Sequence, residues 1–218
     1  MLRDIHELRK DYQKAELLET KVRENPIQQF QSWFEEALQA DADEPNAMVL
    51  ATATPDGTPA ARVVLLKGVS ENGFVFYTNY QSHKGQDLKI NPRVSAVFLW
   101  KELERQVRIE GLVDMLPESA STTYFQSRPK DSQIAAWASP QSKKLVSRTD
   151  LEDKFSQISA QYADAEQLPK PPHWGGYIIH PYKIEFWQGR PSRMHDRLVY
   201  TLTDVAPVKK WGIERLAP

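Results

Sequence analysis

Short β-rich runs lie on both sides of a helical middle region, and this order limits the fold more than any other feature of the sequence. Five predicted strands precede that region, at 47–54, 60–69, 73–79, 94–100 and 106–116. Four more follow it, at 175–180, 183–188, 198–202 and 211–216. Strands and helices do not alternate regularly, which argues against a parallel sheet, and no break in composition divides the strands. The sequence therefore predicts one α+β domain over residues 1–218, mainly β with flanking helices, in which an antiparallel barrel removes exposed edges.

Helical spacing predicts one well-packed helix and several smaller ones. Pro26 opens the best of them, with apolar residues at helical spacing as far as Leu38. Residues 2–18 predict a charged amphipathic helix that has few apolar contacts, and we expect the segment 1–20 to be mobile. Further helices are predicted at 82–90, 117–127, 131–138 and 151–162.

Composition restricts the chemistry. The chain has no cysteine, so disulfides, thiolate catalysis and cysteine-ligated metal clusters are excluded, and redox chemistry would need a bound cofactor. The net charge of −1 indicates neither a nucleic-acid partner nor an anionic membrane. The five histidines show no metal-ligand spacing. Charges recur near the N-terminus and no apolar stretch is long enough to cross a membrane, which predicts a cytoplasmic protein.

Two clusters could bind phosphate near predicted strand ends. Arg62 and Lys67 stand at opposite ends of an apolar strand and could serve two anions, although both could instead extend to water. Tyr77 and Thr78 end the next strand, just before a helix start that contains Lys84. Free backbone N–H groups favour phosphate at a helix start. The alternative there is a simple Ser82 N-cap beside a solvated lysine.

A third cluster is formed by Tyr124, Arg128 and Ser132, which are spaced four residues apart. On one continuous helix they would share a face, but Pro129 is expected to break that helix. Phenol, guanidinium and hydroxyl groups together suit a phosphate monoester. The alternative is a surface pair between Arg128 and Asp131.

A fourth cluster follows the tryptophan of Phe186-Trp187-Gln188-Gly189. Arg193, His195 and Arg197 would point one way if their segment is extended, and could hold an aromatic substrate against a cofactor. A surface strand containing a structural histidine is the alternative.

Taken in this order, the clusters resemble the pyridoxine/pyridoxamine 5'-phosphate oxidase family over nearly the whole chain. The most specific matches are 62–67, 104–107, 127–133, 186–189 and 193–197. The resemblance implies an antiparallel split β-barrel that dimerises, with two FMN sites at the subunit interface. It also implies oxidation of pyridoxamine or pyridoxine 5'-phosphate to pyridoxal 5'-phosphate, with O₂ as acceptor, H₂O₂ as product and ammonia released from the amine.

The resemblance carries over to individual residues. It implies FMN contacts from Arg62, Val63, Val64, Leu65, Leu66, Lys67, Tyr77, Thr78, His83, Lys84, Gln106, Gln141, Ser142, Trp187 and Arg197. It implies substrate contacts from Arg9, Lys10, Asp11, Tyr12, Lys67, Tyr124, Arg128, Ser132, Arg193, Met194 and His195. Of these, Arg193 and His195 are the catalytic candidates.

Segments take roles in the same way. Residues 9–12 resemble a lid over the site, and 170–218 would complete the site. His83 departs from the expected pattern, because an arginine would be expected beside the phosphate-binding lysine. Two other functions remain open, namely a flavin reductase on the same barrel and a non-catalytic carrier of FMN or pyridoxal phosphate.

Overall fold

The computed structural model describes residues 11–205 and 208–218. Within them the chain forms five helices, α1 Pro26–Gln39, α2 His83–Ile90, α3 Glu118–Ser127, α4 Lys130–Ala138 and α5 Arg148–Gln161. It also forms nine strands, β1 Ala47–Ala53, β2 Pro59–Leu65, β3 Gly68–Ser70, β4 Gly73–Asn79, β5 Arg93–Trp100, β6 Arg105–Met115, β7 Trp174–Gln188, β8 Asp196–Val205 and β9 Val208–Arg215. The predicted class, mainly β with flanking helices, is confirmed.

The strands join one sheet in the order β2-β1-β5-β6-β7-β4-β3, while β8 pairs with β7 and β9 pairs with β8. The pairings β3–β4, β4–β7, β7–β8 and β8–β9 are antiparallel. Contacts divide the chain into two compact units, and β1, β5, β6 and β7 each contribute residues to both. The organisation as one domain remains a prediction.

The first unit contains the described residues up to 49, together with 95–110 and 181–218. Its core is aromatic. Phe30 and Trp33 of α1 are buried, and Phe30 meets Phe98 with 5.0 Å between ring centroids, while Trp33 meets Phe186 at 5.2 Å. The apolar face predicted for α1 is therefore confirmed, except that Leu38 is exposed.

The second unit contains residues 50–94 and 111–180. One of its core clusters joins Phe125, Ile134, Leu168 and Trp174, and Tyr77 and Tyr124 pack against this cluster. Helices α3 and α4 therefore lie against the start of β7. This packing gives the aromatic side chains of the unit fixed positions.

Four predicted elements differ from the structure. Residues 11–18 are not helical, because distant side chains bind the backbone groups that a helix would use. The predicted strand 60–69 is divided into β2 and β3, since the Lys67 N–H donates to the Val75 carbonyl at 2.8 Å and the chain turns towards β4. The predicted strands 175–180 and 183–188 form the single strand β7. Its Pro181 lies between the residues paired with β4 and those paired with β8, so the missing N–H interrupts neither ladder.

Candidate active site

A cavity of about 390 Å³ opens in the second unit. Ten of the residues that the sequence proposes for ligand binding line it, namely Val63, Val64, Leu65, Lys67, Tyr77, Thr78, Lys84, Tyr124, Arg128 and Gln141. Lys67 and Arg128 thus share one cavity, although they come from a strand end and a helix junction. Apolar, aromatic and cationic groups meet here, which suits an anionic ligand that has a flat apolar body.

Lys84 lies in the first turn of α2, whose N-cap Ser82 accepts from the Gly85 N–H at 3.3 Å. Its side chain is almost fully buried, and its Nζ donates to Thr78 Oγ1 at 3.0 Å and to Gln141 Oε1 at 3.4 Å. Burial lowers the pKa of Lys84, and the nearby charge of Arg62 lowers it further. In the described part of the chain no carboxylate pairs with this ammonium group, which leaves a buried cation that an anion would stabilise.

Arg62 lies next to this site but does not line the cavity. Its Nη1 donates to Thr52 Oγ1 at 2.8 Å and to the Leu50 carbonyl at 3.1 Å, and its Nη2 is 4.0 Å from Asp87 Oδ2. Burial lowers the pKa of Arg62, while Asp87 acts in the opposite direction. The guanidinium therefore has protein partners and adds positive potential beside Lys84.

Arg128 stands at the junction that the sequence predicts. Helix α3 ends at Ser127 and α4 begins at Lys130, so the helix break at Pro129 is confirmed. The Arg128 guanidinium carbon lies 4.8 Å from the Trp174 ring centroid. Its Nη1 is buried and has no hydrogen-bond partner within the described structure, and the alternative ion pair with Asp131 is not formed there. Burial lowers the pKa of Arg128. This nitrogen can donate a hydrogen bond to a phosphate oxygen.

Tyrosines form one wall of the cavity. Tyr77 and Tyr124 stack with 3.8 Å between ring centroids, and Trp174 continues the stack at 5.4 Å from Tyr77. Burial raises the pKa of both phenols, so both remain protonated donors at neutral pH. Ser132 lies in the first turn of α4 and does not line the cavity.

A second group of proposed residues lies in the first unit. The ring centroids of Trp187 and His195 are 4.7 Å apart, and Tyr12 meets each of them edge-on at 5.7 Å. His195 Nδ1 accepts from the Arg190 N–H at 3.1 Å, which places the proton of the neutral imidazole on Nε2. The structure therefore brings these three aromatic rings into one cluster.

The sequence suggests that Arg193, His195 and Arg197 point one way along an extended segment. This is wrong at Arg193, because its backbone is not extended. Pro191–Arg193 forms a 3-10 turn, closed by a bond from the Met194 N–H to the Pro191 carbonyl, and Arg193 has a φ of 61°. Its side chain is exposed, because this turn precedes β8 and is not part of it.

Arg197 is already paired. Its Nε and Nη2 donate to the two carboxylate oxygens of Glu185 at 2.9 and 3.0 Å, and Nη1 donates to the Ala217 carbonyl at 2.9 Å. The hydrogen bonds that Arg197 donates to the Glu185 carboxylate raise the pKa of Arg197. A flavin ring contact by Arg197 would therefore involve a guanidinium whose charge Glu185 balances.

The remaining proposed residues are dispersed. Arg9 and Lys10 lie outside the described residues. Asp11, His83, Ser142 and Met194 are exposed, Leu66 is buried, and Gln106 is half-buried outside the cavity lining. Sequence reasoning missed other lining residues, namely Asn79, Ala135, Ala136, Ser139 and Trp174. For Trp174 the available signal was a tryptophan directly before two glycines at a strand start.

Neither metal nor membrane features accompany these groups. Among the residues that the structure describes, no group of three or more histidines and carboxylates could hold a metal ion. The helices described are each too short or too polar to span a bilayer.

Comparisons with known proteins agree with this geometry. Residues 34–162 match the family described as pyridoxamine 5'-phosphate oxidase, and 174–218 match a pyridoxine 5'-phosphate oxidase C-terminal dimerisation region. A protein of Salinibacter ruber named pyridoxine/pyridoxamine 5'-phosphate oxidase is 56% identical over 97% of this chain and 98% of its own. A protein of the same name from Trichormus variabilis is 53% identical over 100% of both chains.

Two solved structures are similar. PhzG from Burkholderia lata 383, in complex with tetrahydrophenazine-1-carboxylic acid, superposes with a TM-score of 0.87 at 30% identity and covers 94% of this chain and 100% of its own. A pyridoxamine 5'-phosphate oxidase-related, FMN-binding protein from Nostoc punctiforme has a TM-score of 0.68 at 17% identity. It covers 87% of this chain and 97% of its own. At this low identity the similarity supports the fold only, and no shared function.

The antiparallel sheet and the similarity to PhzG define a split-barrel protein, and its cavity, lined by Lys67, Lys84 and Arg128, suits an anionic ligand. The family match over 34–162 and the relatives above half identity make the assignment more specific. The chain belongs to the pyridoxamine 5'-phosphate oxidase family, and the resemblance read from the sequence is confirmed.

Proposed function

We propose that this chain oxidises pyridoxamine 5'-phosphate and pyridoxine 5'-phosphate to pyridoxal 5'-phosphate, with FMN as cofactor and O₂ as the final acceptor. H₂O₂ is formed with both substrates, and ammonia is released from the amine. The observation that carries the proposal is the shared cavity of Lys84, Lys67 and Arg128. It offers cations for two phosphate groups, and relatives at 53–56% identity bear this enzyme's name.

The residues around Lys84 fit the FMN phosphate. Within the described residues the buried ammonium group of Lys84 donates to the neutral oxygens of Thr78, Gln141 and Ser82, and a dianion would stabilise it. Arg62 contributes its charge from the adjacent position. When bound, FMN supplies two-electron redox chemistry between the substrate C4′ carbon and O₂.

Lys67, Tyr124 and Arg128 would hold the substrate phosphate. The free Nη1 of Arg128 donates to one phosphate oxygen, the Tyr124 hydroxyl donates to another, and Lys67 supplies a flexible charge at the rim. This anchoring fixes one end of the substrate, so that the other end is presented in a limited set of orientations.

Arg193 and His195 would hold the pyridine ring. Because His195 Nδ1 accepts from the Arg190 N–H, its Nε2–H is left to donate to a ring substituent. Arg193 is exposed at its turn and would assist removal of a proton through its charge, since a guanidinium is a poor base. Tyr12 would cover this end of the substrate.

The protein works as a homodimer, and residues 174–218 match the dimerisation region of the family. We place the FMN sites at the subunit interface. A cytoplasmic location also belongs to the proposal on the grounds given by the sequence, and cell fractionation followed by detection of this chain would test it.

The experiment is an oxygen-dependent assay on the purified protein loaded with FMN. Pyridoxamine 5'-phosphate should give pyridoxal 5'-phosphate and peroxide in equal amounts. Arg128→Met should raise KM by about 10- to 100-fold, because one charge-assisted contact contributes about 1.5–3 kcal/mol. Arg148→Met is the matched control, since Arg148 is exposed on α5 and pairs with Glu152 at 2.7 Å.

The rival functions give different results in the same assay. A carrier would bind the substrate without forming peroxide or aldehyde. A flavin reductase would oxidise a nicotinamide donor and would be indifferent to Arg128. Either result in the wild-type protein would overturn the proposal.

A further inference from the structure

We propose that Trp174 is a positioning residue for the substrate phosphate, because its indole face holds the Arg128 guanidinium at the cavity wall. This inference rests on the proposed function. It assigns a specific effect on phosphate recognition to a cavity residue outside the proposed catalytic pair, Arg193 and His195.

The contact between the two side chains is the first observation. The Arg128 guanidinium carbon lies 4.8 Å from the Trp174 ring centroid and 5.8 Å from that of Phe125. Among the described residues, nothing forms a hydrogen bond with its Nη1 and no carboxylate pairs with the guanidinium group. Aromatic faces are therefore what hold this cation before an anion arrives. Tryptophan binds a cation more strongly than the other aromatic side chains do.

The second observation is that the same indole supports Tyr124. The rings of Tyr77, Tyr124 and Trp174 are nearly parallel, with 6.2 Å and 8° between Tyr124 and Trp174 and 5.4 Å and 11° between Tyr77 and Trp174. Trp174 itself is 7% exposed and belongs to the core cluster of the unit. One buried ring thus contacts two of the side chains proposed to bind the phosphate.

Two glycines of β7 allow the strand to lie close to the tyrosine rings. A Cβ on Gly176 would lie 2.7 Å from Tyr77 Cε1, and one on Gly175 would lie 2.0 Å from Tyr80 Oη. Only residues without side chains let β7 approach these tyrosine rings so closely. The main chain of Arg128 is fixed independently, because Gln133 Nε2 donates to its carbonyl at 2.8 Å.

A guanidinium held in this way loses little conformational freedom when phosphate binds, so its hydrogen bonds contribute more fully to affinity. Loss of the indole should therefore weaken binding of phosphorylated ligands selectively. General damage to the fold would weaken phosphorylated and unphosphorylated ligands alike.

The test compares Trp174→Leu and Trp174→Phe with the wild-type holoenzyme. The ligands are 4-deoxypyridoxine 5'-phosphate, which cannot be oxidised at C4′, and 4-deoxypyridoxine, which lacks the phosphate. In the Leu variant, Kd for the phosphorylated analogue and KM for pyridoxamine 5'-phosphate should rise about tenfold. The kcat and the Kd for the unphosphorylated analogue should stay within about twofold. In the Phe variant the same selective loss should be about threefold, because its ring is a weaker cation partner.

Trp137→Leu is the matched control. Trp137 packs against the same core cluster but does not line the cavity, and its Nε1 donates to the Pro169 carbonyl at 2.8 Å. Both Kd values should remain within about twofold of wild type in this variant.

An unchanged Kd for the phosphorylated analogue in Trp174→Leu, or an equal loss for both analogues, would overturn the proposal. If the Leu variant does not fold, the Phe variant decides by the same comparison. Failure of the proposed function is a separate result, since it would appear as a wild-type enzyme that does not turn over pyridoxamine 5'-phosphate.

Discussion

At the scale of single residues, Lys84 and Arg128 show how cations without a counter-ion favour the binding of an anion. Each is a cation that has no carboxylate partner in the described part of the chain, and burial lowers the pKa of each. Holding a charge in a desolvated position without a counter-ion destabilises the folded protein. A bound phosphate group removes this penalty, so ligand binding and folding stability are coupled at both residues.

This coupling predicts a pH dependence for FMN binding to the apo-protein. Phosphate is attracted by the ammonium form of Lys84, whose pKa lies below the ordinary 10.5 because of burial and the charge of Arg62. Affinity should therefore be highest below the pKa of Lys84 and should be lost as the pH rises through it. Titration of flavin fluorescence across the alkaline range measures this profile.

Lys84→Arg provides the control for that profile. A guanidinium keeps its charge throughout the alkaline range, so the variant should bind FMN with an affinity that changes little with pH. A wild-type profile as flat as that of the variant would show that Lys84 does not set the affinity.

Gly176 supports a second prediction at this scale. An alanine Cβ would lie 2.6 Å from Leu116 Cδ1 and 2.7 Å from Tyr77 Cε1, so Gly176→Ala should displace the tyrosine stack. Overpacking of this kind destabilises by about 1–3 kcal/mol, and KM for the phosphorylated substrate should rise as well. Urea unfolding and steady-state kinetics measure the two effects.

Gly212→Ala is the matched control for this change. Its Cβ would meet nothing closer than the Thr201 carbonyl oxygen at 3.9 Å. The free energy of unfolding should change by no more than about 0.5 kcal/mol. Equal effects of the two substitutions would mean that close approach to Tyr77 is not what requires glycine at 176.

At the scale of elements, the segment 11–25 contains no helix or strand and is held by side chains from distant parts of the chain. Glu104 Oε2 accepts from the N–H groups of Gln13 and Lys14, at 2.8 and 3.1 Å. Asp196 Oδ2 accepts from the Leu17 N–H at 3.0 Å. These hydrogen bonds hold the segment in place, and its Tyr12 contacts the ring of Trp187. A Cβ on Gly189 would lie 2.7 Å from the Tyr12 ring, so Gly189 leaves the space that Tyr12 occupies.

Glu104→Ala should therefore release this segment. Loss of an acceptor for two backbone N–H groups costs about 1–3 kcal/mol, so the amides of Gln13 and Lys14 should exchange about 10- to 100-fold faster. Hydrogen exchange followed by mass spectrometry over residues 12–18 measures this change. Glu16→Ala is the control, because Glu16 forms an exposed pair with Lys21 and its loss should leave exchange nearly unchanged.

Some helices and strands can be predicted from the sequence, and the segment 11–18 is one that cannot. The predicted bounds of β4, 73–79, match the structure, because hydrophobic alternation is local. The Ser82 N-cap, which the sequence offers as the alternative to a phosphate site, is formed, but the solvated lysine of that alternative is wrong because Lys84 is buried. The helix predicted for 2–18 is wrong where residues 11–18 are described. Its backbone partners, Glu104 and Asp196, lie far away in sequence.

The site follows the same division. Lys67, Tyr124 and Arg128 could be found because charge and hydroxyl groups recur at meaningful spacing in the sequence. For Trp174 the sequence offers only the two glycines that follow it, because its role depends on the packing of α3 and α4 against β7. The turn at Arg193 was missed because Pro191 was not recognised as its start.

At the scale of the whole molecule, β1 has an apolar surface that the described monomer leaves open. Met48 and Leu50 are buried, while Val49 on the opposite face is 42% exposed, and the neighbouring outward positions are all alanine, at 47, 51 and 53. A strand that is apolar on both faces is typical of a strand covered on both sides. The family's homodimer supplies a partner that can cover this face.

Val49→Asp should therefore weaken the dimer. A carboxylate buried in an apolar interface costs about 3 kcal/mol or more, which raises the dimer dissociation constant about a hundredfold or more. Sedimentation at several protein concentrations measures this change. Ile90→Asp is the control, because Ile90 is 66% exposed at the end of α2 and lies off the sheet, so this variant should stay dimeric.

Since we place the FMN sites at the interface, the monomeric Val49→Asp protein should also lose its flavin absorbance. A folded monomer that retains one FMN per chain would contradict shared sites, and an undiminished dimer would contradict burial of this face of β1.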